Sequence, residues 1–406
     1  MTQDTVRFPR LVQRFDHFDP EFEANLFAVA DELRTRCPVA HSDAHGGFWT
    51  LSRYRDVQEG FGNEQLYSAV PTVTIPVNLA AVPIIPLQCE RGLHRDFRRL
   101  LDPYFRAGAV PRYEDGIRQI TTELMDDFIE RGRCEFVSEF ARKLPGALVF
   151  RLLLGLPETE TDEAFRLTLA IMHSLGTPEA AHVHADFMSL IGRMLERRRV
   201  DPPRGDVIDA LLAGQVEGRP LTEDEVRRCL LQLIAAGLDT TAHALGTMLI
   251  TLTRRPDLRT RLEADPHSLP RAIEELLRWE PPAGGLVRTA VEDVGFDGNT
   301  IPRGAPVLLL VAAANRDPEE FQRAGEIDFD RDQIRHLSFG YGPHYCVGVH
   351  LARLELKVAL EELLDRLKDV RILDDPIKYD SGTSRGPAEL NIEFAPGRRV
   401  GGDRAT

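Results

Sequence analysis

The chain has 406 residues, 43% of them hydrophobic, with no low-complexity tract, internal repeat or Gly/Ser-rich linker, which predicts one large domain over 1–406 with short flexible termini. Its formal net charge of -14 repels phosphate backbones and acidic lipid headgroups, and no Lys/Arg run with interleaved aromatics offsets it, so nucleic acid and membranes are poor partners. Five cysteines, Cys37, Cys89, Cys134, Cys229 and Cys346, are widely spaced without a CxxC pair, as expected of a reducing cytoplasm where cysteine is ordinarily a small buried apolar residue.

The N-terminus, MTQDTVRFPRLVQRFDHFDPEF, mixes acids, bases and aromatics and predicts neither signal peptide nor anchor. A short strand is predicted within 46–54 (GGFWTLSRY). Residues 68–88 are apolar, but Pro71, Pro76, Pro83 and Pro86 exclude a regular helix or central strand and predict a loop that lines something. Helical periodicity then dominates. The clearest helix begins at Thr222, where Thr222 and Glu225 form a T-x-x-E capping box, and ends near Arg254 and Arg255 ahead of Pro256. At 1.5 Å per residue it spans about 50 Å. Its apolar centre carries Gln232, Asp239 and His243, which would each be costly in hydrocarbon, so it predicts a core helix rather than a membrane span.

Further along, EELLR places Glu275 and Arg278 at i,i+3, a spacing that by itself describes any solvated helix pair. Strands are predicted within 294–311, with a hairpin turn at Asp297-Gly298-Asn299, and in LNIEF, 390–394. The fold class is mainly α with small β-sheets.

Residues 336–355 read HLSFGYGPHYCVGVHLARLE. Gly340 and Gly342 permit a tight loop, Gly348 leaves room beside it, and Leu351, Leu354, Val358 and Leu363 suggest an amphipathic helix from Val347. Cys346 is therefore expected at a helix N-terminus, where free N–H groups and the macrodipole favour a thiolate. No second Cys or His cluster supplies a tetrahedral zinc site, whereas a single thiolate suits haem iron.

The segment FGYGPHYCVG, Phe339 to Gly348, resembles the haem-binding signature of the cytochrome P-450 monooxygenases. That resemblance implies a haem b cofactor (Fe-protoporphyrin IX), Cys346 as the iron ligand, a long central helix over the haem and a thiolate loop beneath it. His344 is a rival ligand, less well placed than the sulfur. AAGLDTT, 235–241, resembles the family's central-helix motif: Ala236 and Gly237 would admit a flat macrocycle, and Thr240 can bond back to a carbonyl one turn earlier. Asp239 and Thr240 then form an acid-alcohol pair that carries protons from solvent. EELLR, followed by Trp279-Glu280-Pro281-Pro282, takes the place of the family's structural pair, so Glu275 and Arg278 are assigned to fold. Haem propionates need cationic donors, for which the resemblance indicates His94, Arg98, Arg288 and His344. The lead-in Glu90-Arg91-Gly92-Leu93 departs from the family's Asp-Pro-Pro-x pattern. NRDPEEF (315–321) and IDFDR (327–331) stand in the family's order.

The expected substrate wall is greasy: Val73, Ile75, Val82 and Ile84 from the proline-rich loop, with Leu233, Leu286 and Val287, and the family also roofs its pocket with the region of 172–189. A compact lipophilic substrate, terpenoid, steroid-like or alkyl-aromatic, fits such a wall. No flavin, iron-sulfur or dinucleotide signature is present, so electrons would come from a separate ferredoxin and its NAD(P)H-dependent reductase. The docking face would use Arg95, Arg99, Arg106, Arg353 and Lys357, on a monomer. The alternatives are a peroxide-driven peroxygenase of the same fold, a haem sensor or carrier, and a haem-free Cys346/His344 hydrolase. His182 and His184 lack neighbouring ligands and are read as surface residues.

Overall fold

The computed structural model describes residues 9–77, 83–174, 179–296, 298–380, 382 and 384–401. Three short helices, α1 (Pro9–Gln13), α2 (Pro20–Ala24) and α3 (Leu26–Arg36), lead into strands β1 (Val39–Ser42) and β2 (Phe48–Leu51). Then come α4 (Tyr54–Gly62), β3 (Tyr67–Ser68), α5 (Arg91–Phe105), α6 (Glu114–Asp126) and β4 (Arg133–Glu135). Helix α7 (Lys143–Ala147) is flanked by π-helical turns at Val137–Ala141 and Leu148–Leu153. Helices α8 (Glu158–Ser174), α9 (Ala180–Val200) and α10 (Val207–Ala213) and the ribbon of β5 (Gln215–Val216) and β6 (Arg219–Pro220) bring the chain to α11 (Glu223–Arg254).

Helix α11 starts as predicted. Thr222 Oγ1 accepts from the Glu225 N–H (3.2 Å), and the Glu225 carboxylate accepts from the Thr222 N–H (2.8 Å), satisfying two otherwise orphaned donors. From Thr241 to Ile250 every residue is buried, as expected of a helix enclosed on all sides. Among the described residues it is the one helix long and apolar enough to cross a membrane, and most of that length is buried inside the molecule.

Helices α12 (Pro256–Ala264) and α13 (Leu269–Trp279) precede β7 (Leu286–Ala290), β8 (Val294–Phe296), β9 (Asn299–Ile301), β10 (Pro306–Leu309) and α14 (Val311–Ala314). The chain closes with α15 (Val349–Arg366), β11 (Lys368–Ile372), β12 (Tyr379–Asp380), β13 (Gly386–Pro387) and β14 (Asn391–Ala395). Five strands form one sheet in the order β1-β2-β10-β7-β3, antiparallel except for β2 beside β10, where Thr50 pairs with Leu308. A second sheet runs β11-β14-β4, and β8 pairs with β9 as a hairpin whose predicted turn residue Asp297 lies outside the described residues.

The largest core joins α5, α6, α11, α13 and α15 with β4 and β14. Two smaller cores flank the five-stranded sheet: one holds Phe15, Phe22 and Phe48 from the N-terminal segment, the other Tyr54, Phe61 and Phe321. These cores correct part of the expected substrate wall. Val73, Ile75 and Val287 are all within 3% of full burial, the Val287 N–H donates to the Val73 carbonyl (3.0 Å), and Ile75 and Val287 pack in the N-terminal core. Val82 lies outside the described residues, as do 175–178 of the expected roof.

Candidate functional site

The cysteine loop lies between α14 and α15. Gly340 and Gly342 both adopt φ +73, in the left-handed region glycine favours. A Cβ on Gly342 would stand 2.8 Å from Gly62 Cα and 3.2 Å from the Phe61 carbonyl, so this turn is pressed directly onto the end of α4. The Gly340 N–H donates to Leu337 O (2.8 Å) and the Cys346 N–H to Phe339 O (2.9 Å), closing the loop behind the thiol. Helix α15 begins at Val349 with Gly348 as its N-cap, so Cys346 stands before the helix rather than in its first turn. Burial pushes its thiol up, opposed by a hydrogen bond from the Gly348 N–H and by the charges of Arg98 and Arg353. Stabilisation of a thiolate there falls to one N–H donor, nearby guanidiniums and any metal the sulfur binds.

The loop is anchored from beneath by α13. Glu275 and Arg278 are fully buried and joined by two hydrogen bonds of 2.8 Å. Glu275 also accepts from Arg331 (3.0 and 3.2 Å) and from the Asp328 N–H (2.8 Å), while Arg278 donates to the carbonyls of Asn315, Ala324 and Glu326. Two buried charges survive desolvation only with such saturation. Asn315 carries the connection onward: its Oδ1 accepts from the Leu337 N–H (2.7 Å) and its Nδ2 donates to Ser338 Oγ (2.9 Å). Arg331, of the IDFDR stretch, is a member of this network that residue spacing alone did not single out.

Four basic side chains meet beside the loop. The His94 and His344 rings lie 4.0 Å apart, centroid to centroid. Burial, His94, Arg288 and Arg98 hold His344 down to about 3, and burial with Arg98 holds His94 down to about 4. Arg98 donates to the Tyr345 carbonyl (2.6 Å) and to Asp102 (2.9 Å). Arg288, on β7, is buried over the Phe61 ring, and its one hydrogen bond among the described residues goes to the Val287 carbonyl. Burial pushes its guanidinium down to about 10. Two carboxylates stand at the cluster: half-exposed Asp102, which accepts from Arg98 Nε–H (2.9 Å), and Glu64, whose buried Oε1 lies 3.5 Å from His344 Nε2 without a hydrogen bond. Two depressed imidazoles and an under-compensated buried guanidinium describe a place built for added negative charge, which is what the two propionates of haem bring. The residues present fit that group.

On α11, Ala236 is exposed in the middle of an otherwise largely buried helix, and Thr240, one turn on, shares its face. Thr240 Oγ1 donates back to the Ala236 carbonyl (3.0 Å), the predicted back-bond, within a helix that runs unbroken from Glu223 to Arg254. Asp239 points differently, its Oδ1 3.5 Å from His243 Nε2. A Cβ on Gly237 would first meet Val149 Cγ2 at 3.3 Å, so close packing against the π-helical turn, rather than the open face, is the demand recorded at Gly237. Leu233 is nearly buried on the same helix, and Leu286 and Ile84 are half-buried. Phe339 and Val347 of the loop pack against the core that contains Leu233, Leu238 and Ala242, which ties the cysteine loop and α11 into one unit.

Two outlying expectations concern side chains away from the cysteine loop. His182 is exposed beside Asp186 (3.7 Å), and neither it nor His184 belongs to a group of potential metal ligands among the described residues. Of the basic residues proposed for docking, Arg95, Arg99 and Arg106 are exposed, whereas Arg353 chelates Glu274 (2.6 and 2.7 Å) and Lys357 pairs with Glu114 and Glu361. A residue outside every expectation is Glu355 on α15, fully enclosed, with burial pushing its carboxyl up to about 8.

A cysteine loop, a back-bonded threonine on a buried helix and a basic cluster with one buried, under-compensated guanidinium are the parts that a haem-thiolate site requires. Residues 149–370 match the family model described as Cytochrome P-450. The chain is 34% identical to mycinamicin IV hydroxylase/epoxidase of Micromonospora griseorubida over 85% of this chain and 89% of that protein. It is 32% identical to cyclomarin C epoxidase CymV of Salinispora arenicola, over 89% and 94%. The solved structure of cytochrome P-450 CYP109Q5 from Chondromyces apiculatus superposes with a TM-score of 0.85 at 31% identity, covering 95% of this chain and 100% of that one. The chain belongs to the cytochrome P-450 family, and is an O2-dependent haem monooxygenase of the bacterial type.

Proposed function

We propose that the protein binds haem b through Cys346 and hydroxylates a compact lipophilic substrate with dioxygen and two external electrons: RH + O2 + 2 e⁻ + 2 H⁺ gives ROH + H2O. The observation that carries this reading is the convergence of His94, Arg98, Arg288 and His344 beside the Cys346 loop, with Arg288 buried on a single carbonyl partner and only Asp102, on Arg98, and Glu64, near His344, as close carboxylates among the described residues. When bound, haem supplies dioxygen activation, and a thiolate ligand donates the electron density that favours O–O cleavage. His94, Arg98, Arg288 and His344 would hold its propionates, and the Phe339, Gly340 and Gly348 backbone shapes the approach to the sulfur. Asp239 donates protons and Thr240, fixed by its bond to Ala236 O, orients them. Glu275 and Arg278 support the loop without touching the reacting atoms.

Burial against Leu233, Leu286 and Ile84 holds the substrate, a terpenoid, steroid-like or alkyl-aromatic compound, in a wall with few polar groups. Relatives named as hydroxylase/epoxidase and epoxidase support oxygen insertion as the chemistry. The electrons come from a separate ferredoxin and NAD(P)H-dependent reductase, and the enzyme acts as a cytoplasmic monomer with 1–406 as one domain. The test is turnover under 18O2 with a ferredoxin and reductase, after a spectral-shift screen of lipophilic compounds. One labelled oxygen atom per product is expected; turnover with hydrogen peroxide alone, unaided by the electron partners, contradicts it.

A further inference from the structure

One turn beyond Asp239 on α11, the buried ring of His243 stands between two carboxylates from distant parts of the chain. Its Nε2 lies 3.1 Å from Asp380 Oδ2 on β12 and 3.5 Å from Asp239 Oδ1. Its Nδ1 lies 3.0 Å from Ser384 Oγ, and the Ser384 hydroxyl donates to the Pro282 carbonyl (3.3 Å). Because Ser384 commits its proton to Pro282, its oxygen accepts from Nδ1–H. Nδ1 thus carries a hydrogen, and since an ionised carboxylate can only accept, a proton is shared between Nε2 and Asp380 Oδ2; Nε2 is the nitrogen at which protons come and go.

The surroundings are shaped to this ring. A Cβ on Gly386 of β13 would fall 2.4 Å from His243 Cβ and Cγ, so the strand clears space for the imidazole by having no side chain. Arg142 donates to the same Asp380 Oδ2 (2.9 Å) and fixes the outer carboxylate. The side chains of Asp380, His243 and Asp239 are 39%, 1% and 19% exposed, so the series runs from solvent across a dry imidazole to the acid. With Nδ1 held by Ser384 and Asp380 held by Arg142, the group is poorly disposed to chelate a cation.

We infer that His243 is a proton relay that resupplies Asp239 from solvent through Asp380. The inference rests on reading Asp239 and Thr240 as the proton-donating pair. In each passage the proton shared between His243 Nε2 and Asp380 Oδ2 passes to Asp239 Oδ1, and a proton from water, entering through the Asp380 carboxylate, replaces it. His243 returns to its starting form, and no electron or heavy-atom bond is exchanged. His243 acts through Asp239 and touches no reacting atom, so its role is one of supply.

The test uses the haem-loaded enzyme with a plant-type ferredoxin and reductase and no added substrate, so that the electrons end in hydrogen peroxide or water. His243→Gln, which keeps amide donors but exchanges no proton, and Asp380→Asn are each expected to at least double the solvent deuterium isotope effect on NADPH consumption. Both raise the peroxide share, the double variant behaves like either single one, and anaerobic reduction is unchanged. Independently, the 15N-histidine NMR spectrum of the diamagnetic carbon monoxide complex is expected to show a hydrogen on His243 Nδ1 and a proton-sharing Nε2. If His243→Gln fails to fold, the partly exposed Asp380→Asn and the Nδ1 hydrogen still decide. Unchanged isotope effect and peroxide share in these variants, or a His243 whose Nδ1 carries no hydrogen, overturn the relay. If Asp239→Asn still perturbs both readouts in that case, the acid-alcohol reading stands alone; if Asp239→Asn and Thr240→Ala are also silent, both readings fall.

Discussion

Arg288 and Glu355 are opposite cases of a buried ionisable group. Arg288 keeps its charge in a buried position with a single carbonyl as hydrogen-bond partner, a cost that only an added anion removes. Arg288→Gln should therefore make the haem-free protein no less stable while weakening haem retention about tenfold, the loss of one charge-assisted bond of about 1.5–3 kcal/mol. Competitive haem transfer to apomyoglobin measures this, and unchanged retention would remove Arg288 from the propionate set. Glu355 instead takes up a proton. Its folded value of about 8 lies above the ordinary 4.5, so the folded state binds more protons across that window, and stability is lost as pH rises through it. Glu355→Gln is expected to match the wild type near pH 4.5 and to exceed it by about 3 kcal/mol near pH 7, at 1.36 kcal/mol per pH unit. A denaturant titration showing no pH-dependent gain would contradict the enclosed, unpaired carboxyl.

At the scale of elements, the cysteine loop depends on contacts that hold it from two sides. Gly342 and Gly304 share a positive φ, but a Cβ at Gly304 meets nothing within 4 Å, whereas at Gly342 it strikes the backbone of α4. Gly304→Ala should cost about 1 kcal/mol and Gly342→Ala about 2 kcal/mol more, with haem lost from the second only. Below the loop, Glu275→Ala strands Arg278 and Arg331 and is expected to destabilise by about 3–5 kcal/mol, against less than half of that for Arg331→Met. Equal denaturation midpoints for the two variants would show that the network does not centre on Glu275.

These elements were legible in the sequence to unequal degrees. The capping box of Thr222 and Glu225 appeared as read and the strand predicted at 390–394 formed one residue further on, at Asn391–Ala395, because a cap and an alternating pattern are local signals. The start of α15 came two residues later than periodicity indicated, since the loop's own hydrogen bonds occupy Cys346. The pairing of Asp239 with Asp380 through His243 joins residues far apart in the chain, and no local pattern announces it. Ile75 and Val287 show the limit of composition: it identifies apolar residues but not which core receives them.

For the whole molecule, the net charge of -14 makes docking of an acidic electron donor depend on a local basic face. Arg353 and Lys357 are partly buried in ion pairs, whereas Arg95, Arg99, which pairs with Asp96 (2.9 Å), and Arg106 are exposed, so the proposed face reduces to these three. Changing the three to Gln should slow reduction by ferredoxin about tenfold at low ionic strength and flatten its salt dependence, read by stopped flow. Unchanged rates would move the docking site elsewhere. The account as a whole turns on Cys346 as the haem ligand, and the absorption spectrum of the reduced carbon monoxide complex measures that directly. The strongly red-shifted band of thiolate ligation is expected in the wild-type protein and absent from Cys346→Ser. A wild-type protein without that band, or a variant that keeps it, would contradict the account.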